Sequence, residues 1–162
     1  GHKHQRGEKS VDIKDDSGNC LVACVAAGVN THDSVLLPAA VTQLKETVSH
    51  LRLSLENVPL TLDPGFDSKD NESIIRGVGM IPVIKPNFRN TKDKKIIAAR
   101  TKAFKKLEAT YKLRHTVERG FAWEDKYRKL VIRYEILEAT FNGFRYLAAS
   151  MVNYRTEFGK AI

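Results

Sequence analysis

A short acidic segment, LDPGFDS at positions 62–68, has residue types and a spacing that could perform chemistry. The apolar run at 58–62 ends on Asp63, and a Pro-Gly pair then turns the chain before a second carboxylate at Asp67. If the run is a buried strand, Asp63 lies at its carboxyl end, where open α/β sheets place their chemistry. The alternative is ordinary turn chemistry, in which the aspartate side chain accepts a hydrogen bond from the backbone two residues on. We assign Asp67 to a turn or a helix cap.

A third acid lies on a predicted helix in the segment YKLRHTVERGFAW at 111–123. Tyr111, Arg114 and Glu118 are spaced three and four residues apart, so they share one face of that helix. Cations flank the glutamate along the chain, namely Arg114, Arg119 and Lys126. One interpretation is a salt-bridged surface helix, and the other is a functional carboxylate surrounded by positive charge.

Basic residues concentrate in the same part of the chain. Between Lys85 and Lys129 there are fifteen Lys or Arg against five Asp or Glu, a local excess of ten positive charges, which exceeds the net charge of +8 for the whole chain. A charge run is often only a solvated face, but this density, interleaved with aromatic residues, favours a polyanion such as nucleic acid. The lysines that we expect to contact phosphates are Lys94, Lys95, Lys105 and Lys106.

Length and composition describe a soluble globular domain. The chain has 162 residues, of which 42% are hydrophobic and 28% are charged, so we expect one domain. No apolar stretch is long enough for a membrane span or a signal peptide, which predicts a cytoplasmic protein. Cys20 and Cys24 are predicted to be buried thiols on one strand. A zinc site that joins them to His2 and His4 is a poor alternative because the cysteine spacing is too long for a zinc knuckle.

The elements that must position these residues alternate between strands and helices. Runs at 11–14 and 20–27 predict a hairpin, and the polar residues 31–34 precede a helix. The strand that ends on Asp63 is followed by a short helix that begins at Ser68 and by a strand at 80–86.

Two longer helical regions follow. The first runs from about Ile96 to Trp123 with at most one break. The second carries a regular apolar stripe from Leu130 through Tyr134, Leu137 and Phe141 to Met151, which predicts a helix packed on a sheet. Strands and helices in this order predict a mixed sheet with helices on its faces.

With these elements in place, the sequence resembles the DDE transposases of bacterial and archaeal insertion sequences, whose catalytic domain has a ribonuclease-H-like fold. LDPGFDS is similar to the motif of aspartate, any residue, Gly, aromatic, Asp, Ser, which carries the family's second catalytic acid and gives that role to Asp63. RHTVERGFAWEDKYRKL is similar to the segment with the catalytic glutamate, which falls on Glu118. Tyr111, Arg114 and Glu118 also match the family's tyrosine, arginine and glutamate signature, and the resemblance covers nearly the whole chain.

The resemblance implies the transfer or hydrolysis of DNA phosphodiesters at insertion-sequence ends. Such chemistry uses two Mg²⁺ or Mn²⁺ ions held by hard carboxylate oxygens, for which Asp63 and Glu118 are the implied ligands. Tyr111, Arg114, Arg119, Lys126 and the four lysines named above would contact DNA without reading its sequence. A homodimer is expected when two DNA ends are paired. Asp33 either caps a helix or supports the catalytic edge.

Two positions depart from the family pattern. The family's first catalytic aspartate precedes a Gly-x-Lys stretch, whereas this chain starts at Gly1-His2-Lys3. The acids of the following hairpin are poor substitutes. Residues 1–162 are therefore expected to form part of a catalytic domain, lacking its first strand and inactive alone. Asp125 stands where the family usually has a lysine, and Lys126 is one residue further on.

Two other functions remain open at this point. A non-catalytic DNA-binding remnant is supported by the missing acid and by Asp125. A free-standing ribonuclease-H-like nuclease would use the same acids.

Overall fold

The structure of the chain, a computed structural model, describes residues 8–28, 30–89 and 91–159. His2 and His4 lie outside these residues, as does the side chain of Cys24. The described residues divide into two compact units. The hairpin unit comprises the chain up to Thr31 and from His115 onward, and the parallel-strand unit comprises His32–Arg114.

Strands and helices alternate along the described residues, so the predicted mixed α/β class is confirmed. The strands are β1 Glu8–Lys14, β2 Cys20–Gly28, β3 Pro59–Leu62 and β4 Ile81–Ile84. The helices are α1 Asp33–His50, α2 Lys69–Gly77, α3 Lys94–Lys105, α4 Glu108–Lys112, α5 His115–Glu124, α6 Arg128–Val131 and α7 Glu138–Phe158. No helix of this described part is long and apolar enough to cross a membrane.

The hairpin unit is built on β1 and β2, which pair antiparallel as the sequence predicts. Helix α7 packs on β2 and buries Ala148, Ala149 and Val152. Its Asn153 side chain accepts from the backbone N–H of Cys20 at 2.7 Å and donates to the carbonyl of Cys20 at 3.0 Å. The Cys20 thiol is free and buried, which confirms the prediction at this position, and burial raises its pKa to about 12.

Helix α5 docks on the same hairpin through a buried lysine. The Lys14 side chain is 1% exposed, and its Nζ donates to Glu124 at 2.5 Å. Nζ also lies 4.9 Å from the centre of the Phe121 ring. Gly120 lets the helix approach so closely, since a Cβ there would lie 2.6 Å from Cδ of Lys14.

The parallel-strand unit pairs β3 with β4, and Leu62 lies opposite Ile84. Helix α2 connects the two strands, and its N-cap is Ser68, whose hydroxyl accepts from Asn71 N, as predicted from the sequence. The buried Asn71 amide donates to the carbonyl of Phe66 at 2.8 Å. The unit's core lies between α1, α2 and β4 and includes Leu37, Leu44, Ile75 and Val83.

The helical regions differ from the sequence prediction in two ways. The region predicted from 96 to 123 is broken twice, into α3, α4 and α5. The final helix begins only at Glu138, so the expected helical stripe through Tyr134 and Leu137 is wrong, and both side chains are exposed. Here the Glu135 carboxylate accepts from the N–H of Tyr134, a local side-chain to backbone bond that competes with helix formation.

The strand arrangement also differs from the prediction of one mixed sheet. Within residues 8–28, 30–89 and 91–159 the strands form two two-stranded sheets, β1 with β2 and β3 with β4. The described residues do not show the ribonuclease-H-like arrangement, in which these strands would share one sheet, and that arrangement stays a prediction.

Two helical glycines should respond in opposite ways to substitution by alanine. A Cβ at Gly120 would collide with the buried Lys14 side chain, whereas one at Gly143 in α7 meets nothing within 4 Å. At Gly120 an overpacking cost of about 1–3 kcal/mol opposes a gain in helix propensity of up to about 1 kcal/mol, so Gly120→Ala is expected to lower the free energy of unfolding by up to about 2 kcal/mol. Gly143→Ala should raise it by up to about 1 kcal/mol, because alanine is the better helix former. Urea unfolding of both variants measures the difference, and equal effects would contradict the close packing of Lys14 on α5.

Candidate functional site

The carboxylate of Asp63 stands at the carboxyl end of β3 and takes no part in its own turn. Strand β3 ends at Leu62, and Asp63 has extended backbone angles, φ −62° and ψ 156°. Its carbonyl accepts from Phe66 N at 2.9 Å and closes the 3-10 turn Pro64–Phe66. The side chain makes no capping hydrogen bond and is 55% exposed. The turn therefore uses only the backbone carbonyl of Asp63, and the carboxylate is available for another role.

Two predicted site residues of the parallel-strand unit lie near Asp63, and one of them, Arg114, contacts it. Arg114 donates from Nη1 to the Asp63 carboxylate, and the Arg114 guanidinium lies 5.7 Å from the centre of the Tyr111 ring. Burial raises the pKa of the Tyr111 phenol, the charge of Arg114 lowers it, and the charge of Asp63 raises it. Because helix α4 packs on both β3 and β4, the structure brings Asp63, Tyr111 and Arg114 together at one edge of the sheet.

At this edge of the sheet, the Asp63 carboxylate could serve as one ligand of a hard divalent cation. An exposed carboxylate oxygen suits Mg²⁺ or Mn²⁺, and Arg114 shows that Asp63 already attracts a cation. Over the described ranges, no group of three or more His, Cys, Asp or Glu could hold a metal. Asp63 thus fits as a single donor, and a full site needs other carboxylates.

The predicted second acid, Glu118, belongs to the hairpin unit. It lies in the first turn of α5, and it is exposed, as is Arg119. The buried residues of α5 are Thr116 and Gly120. Since Asp63 and Glu118 lie in different units, their approach to a common metal stays a prediction.

The lysines that are predicted to bind DNA are all exposed. Lys94 and Lys95 begin α3, while Lys105 ends it and Lys106 is its C-cap residue. All four side chains are exposed. Lys126 follows α5 and is exposed beside Asp125. Their roles in DNA binding remain predictions.

Asp33 is the first residue of α1, and the N-cap of that helix is His32, whose ring nitrogen accepts from Ser34 N. The side chain of Asp33 lies outside the described part of the structure. Its supporting role therefore stays a prediction.

The sequence prediction of a turn or helix-cap role for Asp67, the second carboxylate of the LDPGFDS segment, is wrong. The Asp67 side chain neither caps α2 nor closes the turn; it accepts from the backbone N–H of Asn87 at 2.6 Å and from Arg100 at 2.5 Å. Only 5% of it is exposed. No local pattern marks this role, because the two partners are 20 and 33 residues further along the chain.

Comparisons with known proteins support one family. The family model described as Transposase DDE domain matches residues 2–152. Searches of the curated proteins and of the solved structures found no match.

The ionisation of Tyr111 tests whether the three side chains share one edge. Asp63→Asn should lower the pKa of the Tyr111 phenol, because a negative neighbour that disfavours the phenolate is removed. Arg114→Gln should raise it, because a positive neighbour that favours the phenolate is removed. A pH titration followed by NMR of ¹³C-labelled tyrosine resolves the phenol, and Asp70→Asn on α2 serves as the control. An unchanged Tyr111 pKa in both site variants would contradict the arrangement.

Proposed function

Since the chain belongs to the transposase DDE domain family, it is of the transposase kind, and we propose that it serves as a DNA-processing catalytic core. The proposed reaction is divalent-metal-dependent cleavage and joining of phosphodiesters at insertion-sequence ends. The observation that carries the proposal is the Asp63 carboxylate, which stands at a strand terminus, remains outside its own turn and attracts the guanidinium of Arg114.

Each site residue has a proposed task. Asp63 and Glu118 would supply carboxylate oxygens to the divalent ions. Such ions, when bound, supply Lewis acidity and lower the pKa of an attacking water or hydroxyl. Arg114 would move from Asp63 to a DNA phosphate, a bidentate partner that suits a guanidinium. Tyr111 lies against that guanidinium and would restrict its orientation.

The lysines of α3 favour DNA over a purely structural explanation. The N-cap Asp93 accepts from the backbone N–H of Lys95 at 2.8 Å, and the first turn that follows begins with two lysines and holds no acid. Cations at a helix N-terminus oppose the helix dipole, so Lys94 and Lys95 do not stabilise their own helix there. An external polyanion gives them a favourable partner. DNA ends are the proposed substrate, with a homodimer as the proposed form that pairs two of them.

A second candidate function is DNA binding without catalysis. Asp125 in the lysine position of the family signature favours it, since an acid there repels the phosphate that the lysine would contact. The response to divalent metal distinguishes the two functions.

DNA binding should be non-specific and strongly dependent on salt. The affinity for duplex DNA is expected to fall steeply between about 50 and 200 mM salt, because bound phosphates release counterions. Replacing Lys94, Lys95, Lys105 and Lys106 with alanine should weaken binding to all sequences and reduce the salt slope by up to about 4. Fluorescence anisotropy measures both quantities.

A control variant replaces two lysines outside the basic stretch, Lys45 on α1 and Lys69 on α2, which are also exposed, and it should leave the salt slope nearly unchanged. A flat salt response of the parent chain would remove the electrostatic basis of the proposal.

Divalent metal should stabilise the folded chain through Asp63 and Glu118. A ligand at 100 times its dissociation constant adds about 2.7 kcal/mol to the free energy of unfolding, and weak binding gives less. The stabilisation by Mn²⁺ or Mg²⁺ should vanish in Asp63→Ala and in Glu118→Gln. It should grow in Arg114→Gln, where no guanidinium competes for the carboxylate. Thermal unfolding with and without metal measures these effects.

The charge control is Asp16→Asn in the hairpin turn, which should keep the parent's metal response. A response that survives both site variants would exclude these ligands. Salt-dependent DNA binding without any metal response would instead favour the non-catalytic function.

A further inference from the structure

The carboxylate of Asp67 is the centre of a polar junction inside the parallel-strand unit. It follows the turn that carries Asp63, and 95% of its side chain is shielded from solvent. One oxygen accepts from the backbone of Asn87, three residues beyond β4, and the other accepts from Arg100 on α3. A single side chain thus joins the loop after β3, the loop after β4 and the basic helix.

Helix α3 depends on this junction more than an ordinary amphipathic helix would. No residue of α3 is fully buried, so apolar burial contributes little to fixing its position. Its described contacts include the Arg100 pair, the approach of Arg100 to within 5.9 Å of the Phe88 ring centre, and an edge-on contact between the Phe104 and Tyr111 rings at 5.1 Å. The ion pair is the charged, hydrogen-bonded part of this attachment.

The lysines of α3 lie on the other side of the helix. Lys95 and Lys102 are seven residues apart, close to two full turns, so they share one face. Arg100 is five residues from Lys95 and two from Lys102, which places it on the opposite face. Holding Arg100 at Asp67 therefore turns the two exposed lysines outward.

A carboxylate in this place contributes orientation rather than a large gain in stability. Buried ion pairs are often no more stabilising than apolar replacements of similar volume, whereas charge-assisted hydrogen bonds from a guanidinium fix direction well. Asp67 has two donors on two different segments, so it fixes the direction of α3 relative to the sheet edge that carries Asp63.

We infer that Asp67 is a positioning residue for DNA binding: through Arg100 it orients the lysine face of α3 so that a bound DNA backbone runs at a fixed place relative to Asp63. This inference rests on the proposed function, because it takes the polyanion of α3 to be DNA. It assigns the second carboxylate of LDPGFDS a task distinct from metal binding.

Double-mutant cycles on DNA binding test the inference. In the parent chain, Lys95→Ala with Lys102→Ala should reduce the slope of log affinity against log salt by about 2, one for each phosphate contact. In the Asp67→Ala background the same pair should change the slope by less than about 0.5, because a misdirected α3 no longer presents both lysines. Arg100→Met breaks the junction from its more exposed side, so the lysine pair should lose its effect on the slope in this background too.

Two controls separate positioning from general destabilisation. Ser68→Ala removes the N-cap of α2 next to Asp67 and lowers stability without touching α3, so the full effect of the lysine pair should persist there. Asp67→Asn keeps an oxygen for Asn87 N–H but lacks the charge for Arg100, so the lysine pair should have an effect between those in the parent and Asp67→Ala backgrounds. Lys126→Ala, in the hairpin unit, should have the same effect in the parent and Asp67→Ala backgrounds. All measurements are made below the unfolding temperature of the least stable variant.

The outcomes are distinct. If the lysine pair has the same effect in the parent, Asp67→Ala and Arg100→Met backgrounds, or no effect in the parent, the inference is overturned while DNA binding stands. If the lysine pair loses its effect on the slope as fully in the Ser68→Ala background as in the Asp67→Ala background, the role of Asp67 is only structural and the inference is overturned. If the parent chain shows no salt-dependent DNA binding, the proposed function itself fails.

Discussion

Parallel pairing of two four-residue strands is the constraint on which the candidate site depends. Because β3 and β4 run in the same direction, the segments that follow them leave from the same edge of the sheet. Asp63 follows β3 directly, and Asn87 follows β4 by three residues. One short turn can therefore present a carboxylate outward at Asp63 and a second one inward at Asp67. An antiparallel pair would have sent the two segments to opposite edges.

The two carboxylates of one motif show how position decides chemistry. Asp63 and Asp67 are four residues apart, and each meets an arginine. Asp63 is exposed, so solvent weakens its attraction for Arg114, and the guanidinium can be exchanged for another cation or ligand. Asp67 is shielded and has a backbone donor as well, so its ion pair is not readily exchanged. The exposed carboxylate of Asp63 is suited to binding an exchangeable ligand. The shielded carboxylate of Asp67 is suited to holding neighbouring segments in place.

Local signals in the sequence were enough to predict much of the fold. The hairpin follows from two β-runs around polar turn residues, the end of β3 from the turn after Asp63, and the start of α2 from the capping hydroxyl of Ser68. Each of these three features depends on residues that are close together along the chain. The succession of strands and helices along the chain, and with it the mixed α/β class, follows from the same local patterns.

The interactions that fix the helices could not be predicted in this way. Lys14 meets Glu124 across 110 positions, and Asp67 meets Arg100 across 33. Periodicity alone also predicts a helix at Tyr134, where the backbone N–H instead donates to the carboxylate of the neighbouring Glu135. The family motif identifies Asp63 and Glu118 as acids of interest, but their spatial relation depends on the tertiary structure and not on spacing along the chain.

The division of the chain has a consequence for the order of folding. The parallel-strand unit is one continuous segment, His32–Arg114, whereas the hairpin unit joins the beginning of the chain to its end. Asn153 must find Cys20 across 133 positions, a long closure that slows folding. During synthesis the continuous unit emerges entirely before α7 exists, so β3 and β4 can pair while β2 still lacks its covering helix. In that interval the apolar face of β2 is uncovered and prone to aggregation, and it stays uncovered until α7 has been synthesised and has docked.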